Sequence, residues 1–230
     1  MLKKNKHKEI LIRVLKDIYS DTSLNNLLGF KGGTAAYLFY DLPRFSVDLD
    51  FDLLDREKDE FVYKKVKEIL LKYGVIKDEK NKRNRILLTI SFDEDAQNIK
   101  LEINKENFGS EYEIKTYLGI SMMVIKKEDM FAHKLVAAYE RIGRANRDIY
   151  DIWYFCDQGW SINENIIKRR TGNELKEFLD DLISKLNNKE RNLLEGMGEL
   201  IDDKQKDWVR DKLKEETLFS LRLKRDNIEK

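Results

Sequence analysis

Apolar positions recur at helical spacing through Lys8–Tyr19, where Ile10, Leu11, Val14, Leu15 and Ile18 fall on one side. Leu27–Phe30 is a short apolar run. After it, Lys31-Gly32-Gly33-Thr34 predicts a turn and Ala35–Tyr40 a helix. Over Val47–Leu53 the period drops to two: Val47, Leu49, Phe51 and Leu53 alternate with Asp48, Asp50 and Asp52. That alternation predicts a strand with one buried face and one acidic face. Lys58–Tyr73 returns to helical spacing through Phe61, Val62, Val66, Ile69 and Leu70, and strand patterns follow at Ile86–Phe92 and Ile99–Ile103. From about Lys126 the strand signals stop. Helices are predicted over Asp129–Ile142, Asn146–Asp157, Glu174–Leu186, Arg191–Ile201 and Lys206–Leu223. The fold class read from these patterns is α+β, with a mixed region over residues 1–125 and an all-helical region over 126–230. The basic tract Lys3, Lys4, Lys6 and Lys8 and the charged end Arg222–Lys230 read as solvated, frayed ends.

Composition narrows the class. In 230 residues, 44 Lys and Arg balance 43 Asp and Glu for a net charge of +1, which excludes the blanket basic surface of a histone-like binder. The apolar fraction of 41% is too high for a disordered chain, and one Cys excludes an intrachain disulfide framework. No apolar run reaches the roughly 18 residues of a membrane span. Arg13, Lys16 and Asp17 break the segment a signal peptide would need, so a cytoplasmic setting is expected.

The candidate chemistry lies in Gly32-Gly33-Thr34 and Asp48-Leu49-Asp50. Two carboxylates two residues apart on a strand share a side, and oxygen-rich pairs suit divalent cations. A glycine pair opening a helix offers backbone N–H groups to a phosphate. Glu102 lies between Leu101 and Ile103 on a predicted strand, opposite the buried face. It reads either as a third metal ligand or general base, or as an exposed glutamate paired with Lys100 or another lysine.

These residues resemble a known family. Gly32-Gly33-Thr34 followed by Arg44-x-Ser46-x-Asp48-x-Asp50-Phe51 is similar to the signature of nucleotidyltransferases of the DNA polymerase β superfamily. More closely, it resembles the AbiEii/AbiGii-type nucleotidyltransferase toxins of bacterial abortive-infection and toxin–antitoxin systems. Lys134-Leu135-Val136-Ala137-Ala138 and Arg147-Asp148-Ile149-Tyr150-Asp151-Ile152-Trp153 are similar to that family's lysine motif and Arg-Asp-x-Tyr-Asp motif. The resemblance spans roughly residues 29–157. It implies a polymerase β-like domain with a mixed sheet, followed by a helical region that contributes Lys and Asp to the site. It further implies Mg²⁺ or Mn²⁺ on Asp48 and Asp50, and NTP phosphates on Gly32, Gly33, Thr34, Ser46 and Lys134; Glu102 as a third acid rests on the strand pattern, since no motif of the family fixes it. Asp148 matches the last motif's aspartate, with Asp151 as the other claimant. The expected reaction moves NMP from an NTP, bound between the two halves, to an acceptor hydroxyl. The implied acceptor is the 3′ end of tRNA, and the implied partner a cognate antitoxin. An aminoglycoside or protein acceptor, or an inactive nucleotide-binding module, remains open.

Lysine at the edge of an amphipathic stripe is the bland reading of Lys134, and helix-stabilising i,i+4 pairing that of Arg144 with Asp148 and Arg147 with Asp151. Arg83, Arg85, Arg144 and Arg147 are the candidate RNA contacts. The clusters Lys80–Arg85 and Lys168–Arg170 read either as phosphodiester grips or as solvated loops. His7 falls in the basic tail, His133 points away from its neighbour Lys134, and Cys156, Trp153, Tyr154 and Phe155 read as core.

Overall fold

The structure, a computed structural model, describes residues 3–94, 96–189 and 192–228. Contacts divide it into two units. The first is residues 1–107 with 111–125, and the second is 108–110 with 126–230. The division falls at 125/126 apart from the short segment Phe108–Ser110, which clusters with the helices.

Among the described residues, the first unit is a seven-stranded mixed sheet with three α-helices and a short 3-10 turn at Arg56–Lys58: α1 (Lys4–Ser20), β1 (Leu28–Lys31), α2 (Gly32–Phe39), β2 (Leu49–Leu53), α3 (Asp59–Leu71), β3 (Val75–Lys82), β4 (Arg85–Ser91), β5 (Ile99–Asn104), β6 (Tyr112–Tyr117) and β7 (Ile120–Ile125). The strands lie in the order β3-β4-β5-β2-β1-β7-β6. β2 runs parallel to β5 and β1 parallel to β7, and the other neighbours are antiparallel. Alternation sets the faces: Phe30 and Phe51 are register partners, and so are Leu28 and Leu53. These residues, with Ile86, Leu88, Leu101 and Ile103, are buried together with Leu11, Val14 and Leu15 of α1 and Val62 and Val66 of α3. The opposite face carries Lys31, Asp50, Asp52, Glu102, Asn104 and Arg85, placed there by the same two-residue period.

Several expectations need correction here. The acidic strand begins at Leu49, so Val47 and Asp48 precede it; the Asp48 carbonyl accepts from the Thr34 hydroxyl, and so serves the turn. The helix after the glycines starts at Gly32 itself, with Lys31 as its N-cap, so both glycines lie in its first turn. The basic tract is not a frayed end: α1 begins at Lys4, and the Lys3 and Lys6 ammonium groups reach Asp93 at 3.1 and 2.8 Å. His7, expected in that tail, is buried on the inner side of α1 between Phe45 and Phe92. Strands β3, β6 and β7 escape the sequence patterns. β3 is an edge strand of mostly charged residues, and β6 exposes Ile114 where a buried face would be expected.

The second unit holds α4 (Lys127–Arg141), α5 (Arg147–Asp157), α6 (Glu164–Thr171), α7 (Leu175–Asn187), α8 (Asp203–Asp211) and α9 (Leu213–Asp226). Phe155 stacks on Trp160 at 4.1 Å and packs edge-on against Phe131, while Trp153 meets Trp208 at 4.2 Å. α6 was not visible as a periodic stripe, yet Asn163 caps its start and Gly172, at φ 82°, ends it. The single helix expected over Lys206–Leu223 is two. Asp202 and Gln205 close a capping box on α8, and the break falls at Lys212. Of the helix expected over Arg191–Ile201, Arg191 lies outside the described residues. Residues 192–201 are irregular and turn structure, with Gly196 at φ 77°.

Candidate active site

The first cluster grows out of the β1–α2 junction. Gly32 has φ 78°, a region that disfavours any side chain, and an added Cβ would sit 2.2 Å from Asp50 Oδ2. A Cβ on Gly33 would lie 2.8 Å from Ser46 Oγ and 2.9 Å from Arg44 Nη2. The two glycines thus have separate uses. The first lets the Asp50 carboxylate lie against the turn, and the second lets Ser46 and Arg44 close over it. Thr34 and Ser46 are buried, and Thr34 ties the helix to the backbone of Asp48. Thr34 therefore fixes the acidic segment with the hydroxyl that sequence reasoning assigned to a phosphate. Arg44, buried and donating to the Phe45 carbonyl at 3.0 Å, is a cation at the turn that the quoted signature contains but to which the sequence assigns no role. Its place between the glycines and the aspartates was the available signal.

Glu102 is the register partner of Asp50 on β5. Its carboxylate is held by Lys100 at 2.8 Å, so both readings of this residue find a geometric counterpart. Among the described residues, no group of three or more acidic, His or Cys side chains stands ready to hold a metal ion. A Mg²⁺ site does not need one, because that ion keeps waters and takes one or two carboxylates together with substrate phosphates. Asp48 and Asp50 fit that pattern: hard oxygen donors beside a turn whose N-cap residue supplies no side-chain hydrogen bond.

Asp52, the last aspartate of the acidic face, is buried. Its Oδ1 accepts from Lys31 Nζ at 2.5 Å and from Asn104 Nδ2 at 2.7 Å, and its Oδ2 accepts from Tyr112 at 2.6 Å. Burial would raise its pKa. The Lys31 charge, with the hydrogen bonds from Lys31, Tyr112 and Asn104, outweighs burial and holds the carboxyl below the usual range.

The second cluster lies wholly within the helical unit. Lys134 of α4 reaches Asp148 Oδ1 at 3.0 Å and Asp151 Oδ2 at 2.9 Å, and Arg141 reaches Asp148 Oδ2 at 2.8 Å. Asp148 is 1% and Asp151 0% exposed. Both claimants for the last acidic motif thus meet the same lysine. Asp148 and Asp151 are three residues apart on α5, which puts them on one side of that helix.

The expected pairing of Arg144 with Asp148 does not form. Arg144 lies in the turn before α5, and its guanidinium donates to the Glu140 carbonyl. The cluster Lys168–Arg170 is also committed internally. Lys168 pairs with Glu174, Arg169 donates to the Phe108 carbonyl, and Arg170 meets His133 and Glu140. With Arg170 donating to Nδ1, His133 presents Nε2–H to the Ser110 hydroxyl at 2.7 Å, away from Lys134. Burial pushes the Cys156 thiol up to about 12, as for an inert thiol. At the β3–β4 hairpin tip, Lys80 pairs with Asp78. Lys82, Arg83 and Arg85 are exposed and make no ion pair among the described residues.

A family model described as nucleotidyl transferase AbiEii toxin, type IV toxin–antitoxin system, matches residues 13–216. A candidate nucleotidyltransferase from Helicobacter pylori is similar in fold, with a TM-score of 0.61 at 22% identity, covering 100% of this chain and 98% of its own. JHP933 from Helicobacter pylori gives a TM-score of 0.59, also at 22% identity, with coverage of 100% and 95%. No curated protein matches the chain. Among the described residues, no helix is long and apolar enough to cross a membrane.

Proposed function

Since the chain belongs to the AbiEii family of nucleotidyltransferase toxins, from type IV toxin–antitoxin systems, we propose that it moves an NMP group from an NTP to the 3′ end of tRNA and so stops translation. The observation that carries this reading is the packing of the Asp50 carboxylate against Gly32, with Thr34 tethering the backbone of Asp48 to the same helix turn. One short segment therefore offers acidic oxygens and backbone N–H groups together, the two needs of a nucleotide polyphosphate. Asp48 and Asp50 would hold Mg²⁺ or Mn²⁺, with Glu102 as the nearest further acid along the sheet. When bound, such a cation neutralises the charge that builds on the transferring phosphoryl group.

The chain's own groups do the rest. Gly32 and Gly33 let Asp50, Ser46 and Arg44 close on the first turn of α2, whose backbone N–H groups would meet phosphate oxygens. Arg44, beside Gly33, supplies a fixed positive charge, and Ser46 a hydroxyl beside it. The exposed cations Lys82, Arg83 and Arg85 support a polyanionic acceptor; Arg85 is the register partner of Asn104, which is in turn the partner of Asp52. The cognate antitoxin that the family implies would act on this chain or on its expression.

The test is incubation with each labelled NTP, Mg²⁺, and either total tRNA or total protein. Labelled tRNA is expected, with Asp48→Asn and Asp50→Asn reducing the label to background while the circular dichroism spectrum is unchanged. Labelled protein with unlabelled tRNA would replace the acceptor, and full activity of the double variant would remove the assignment of the site.

A further inference from the structure

The turn that joins β3 to β4 has its backbone oxygens met from inside. Lys105, immediately after β5, lies beneath it with a side chain only 2% exposed. Its ammonium donates to the Lys82 carbonyl at 2.8 Å and to Asn81 Oδ1 at 2.5 Å, and its backbone N–H donates to the Asn84 carbonyl at 3.0 Å. Arg56, from the short turn before α3, reaches the intervening Arg83 carbonyl at 3.5 Å. Successive carbonyls at 82, 83 and 84 thus each meet an N–H donor, and their partial negative charge is directed inward. The Lys105 charge is itself paired with Asp59 at 2.5 Å, so it holds the turn without adding to its outer field.

What the tip turns outward is positive. Arg56, Lys82, Arg83 and Arg85 are exposed, and none makes an ion pair among the described residues. Lys82 and Arg85 are register partners, which puts their side chains on one face of the hairpin with Cβ atoms about 4.5–5.5 Å apart. The acids bonded to this region have other partners: Glu106 accepts from Asn84, Glu60 from Asn81 and Asp59 from Lys105. Burying an ammonium is expensive, and a hairpin tip that merely sat in water would need no such anchor. Like charges held together at a fixed tip repel one another, and a bound polyanion relieves that repulsion.

The tip also has a definite place on the sheet. Asp50, Glu102 and Leu87 are aligned across β2, β5 and β4, and Arg85 lies two residues from Leu87 on the face that carries Asp50. Two strand spacings and two residues of rise put the Arg85 Cα about 12 Å from that of Asp50. A stacked strand carries one phosphate about every 3.4 Å, so that gap spans about two to four phosphates. We propose that the β3–β4 tip, with Arg56, is a phosphodiester grip that holds a single-stranded RNA acceptor about two to four phosphates before its reacting hydroxyl, and that Lys105 is the positioning residue of the grip. This rests on the reading of the acceptor as RNA and of Asp50 as the place of transfer.

The experiment follows binding of a fluorescein-labelled single-stranded RNA to the full chain by anisotropy, over a series of salt concentrations and with no turnover required. Affinity for a single strand falls with salt to the power of about 0.7 per neutralised phosphate. Lys82→Ala, Arg83→Ala and Arg85→Ala should therefore each weaken binding about five-fold at ~0.1 M salt and flatten the slope by about 0.7. The triple variant should bind about a hundred-fold more weakly, whereas Lys16→Ala, an exposed lysine on α1, should match the parent. Lys105→Met keeps every exposed cation but releases the turn. It should weaken RNA binding several-fold, because the tip must then be ordered on binding, with Mg·NTP binding kept at the parent's affinity and stoichiometry. Asn81→Ala removes one of the Lys105 bonds to the tip from outside the buried ammonium and should shift RNA binding in the same direction. Unchanged affinity and slope in the triple variant would overturn the grip. Loss of RNA and nucleotide binding in proportion in Lys105→Met, with Asn81→Ala at the parent level, would overturn the positioning role. A parent chain that binds no RNA would remove the RNA acceptor itself, and the grip with it.

Discussion

Replacing Lys134 by Met isolates the energetics of the helical unit's charged cluster. Lys134 stands 3.0 Å from Asp148 and 2.9 Å from Asp151, with its own side chain 12% exposed and both acids essentially inaccessible. Removing the lysine takes from both buried carboxylates the cation they share, and Arg141, which also holds Asp148, is 45% exposed and so screened by water. Breaking a buried pair from one side costs about 3–5 kcal/mol, because the remaining charge is stranded. The same range is expected for Lys134→Met in urea unfolding, out of a total of about 5–15 kcal/mol for a protein of ordinary stability.

Adding Asp151→Asn removes one of the two buried charges and should recover part of the loss. A deficit under about 1 kcal/mol, the scale of an exposed pair, or no recovery in the double variant, would refute the picture of a dry cluster. The outcome bears on function as well: a lysine already neutralised by two acids has little charge to spare for a triphosphate, so lost labelling in Lys134→Met must be judged against lost stability.

Gly32→Ala should abolish nucleotidyl labelling while costing about 1–2 kcal/mol of stability, because its φ is left-handed and the new Cβ displaces the whole Asp50 side chain; activity at the parent level would contradict that geometry. Lys105→Met should destabilise by roughly 3 kcal/mol or more in chemical unfolding, since the buried ammonium donates to Asp59 at 2.5 Å, Asn81 at 2.5 Å and the Lys82 carbonyl at 2.8 Å. Burial lowers the pKa of His7 against the raising effects of the Val47 carbonyl, Asp48 and the Gln97 backbone. Below its unfolded pKa of 6.5 the unfolded chain binds the proton more readily, so stability from this group is lost as pH falls, by at most about 1.4 kcal/mol per unit. Comparing the stability slopes of the parent chain and His7→Gln from pH 7.5 to 5 checks the sign; equal slopes would exclude His7 as the group responsible.

Where the hydrophobic period was long and one-sided, it located elements well: α1, α3, α4, α5 and α7 fall within a few residues of their predicted spans. It failed where another force decides the conformation. β3 pairs through its backbone and exposes most of its side chains, so its charged sequence carries no alternation to read. Residues 192–201 have apolar residues at helical spacing, but Gly196 takes a left-handed turn that a helix cannot follow. At the site, the glycine pair and the aspartates were legible because their residue types are chemically specific. Lys31, Tyr112 and Asn104 were not, because their relevance depends on strand order, which places residues from β1, β5 and β6 around one acid of β2.

That strand order also sets a schedule for synthesis. β1, which leads into the glycine turn, has β2 on one side and β7 on the other, and β2 in turn needs β5. A ribosome-bound chain that has exposed only its first hundred residues holds the glycine turn, Arg44, Ser46, Asp48 and Asp50, yet lacks most of β5, with Glu102, and all of β6 and β7. Such non-local pairings form late. The sheet around the glycine turn can therefore close only after β7, which ends at Ile125, has left the exit tunnel.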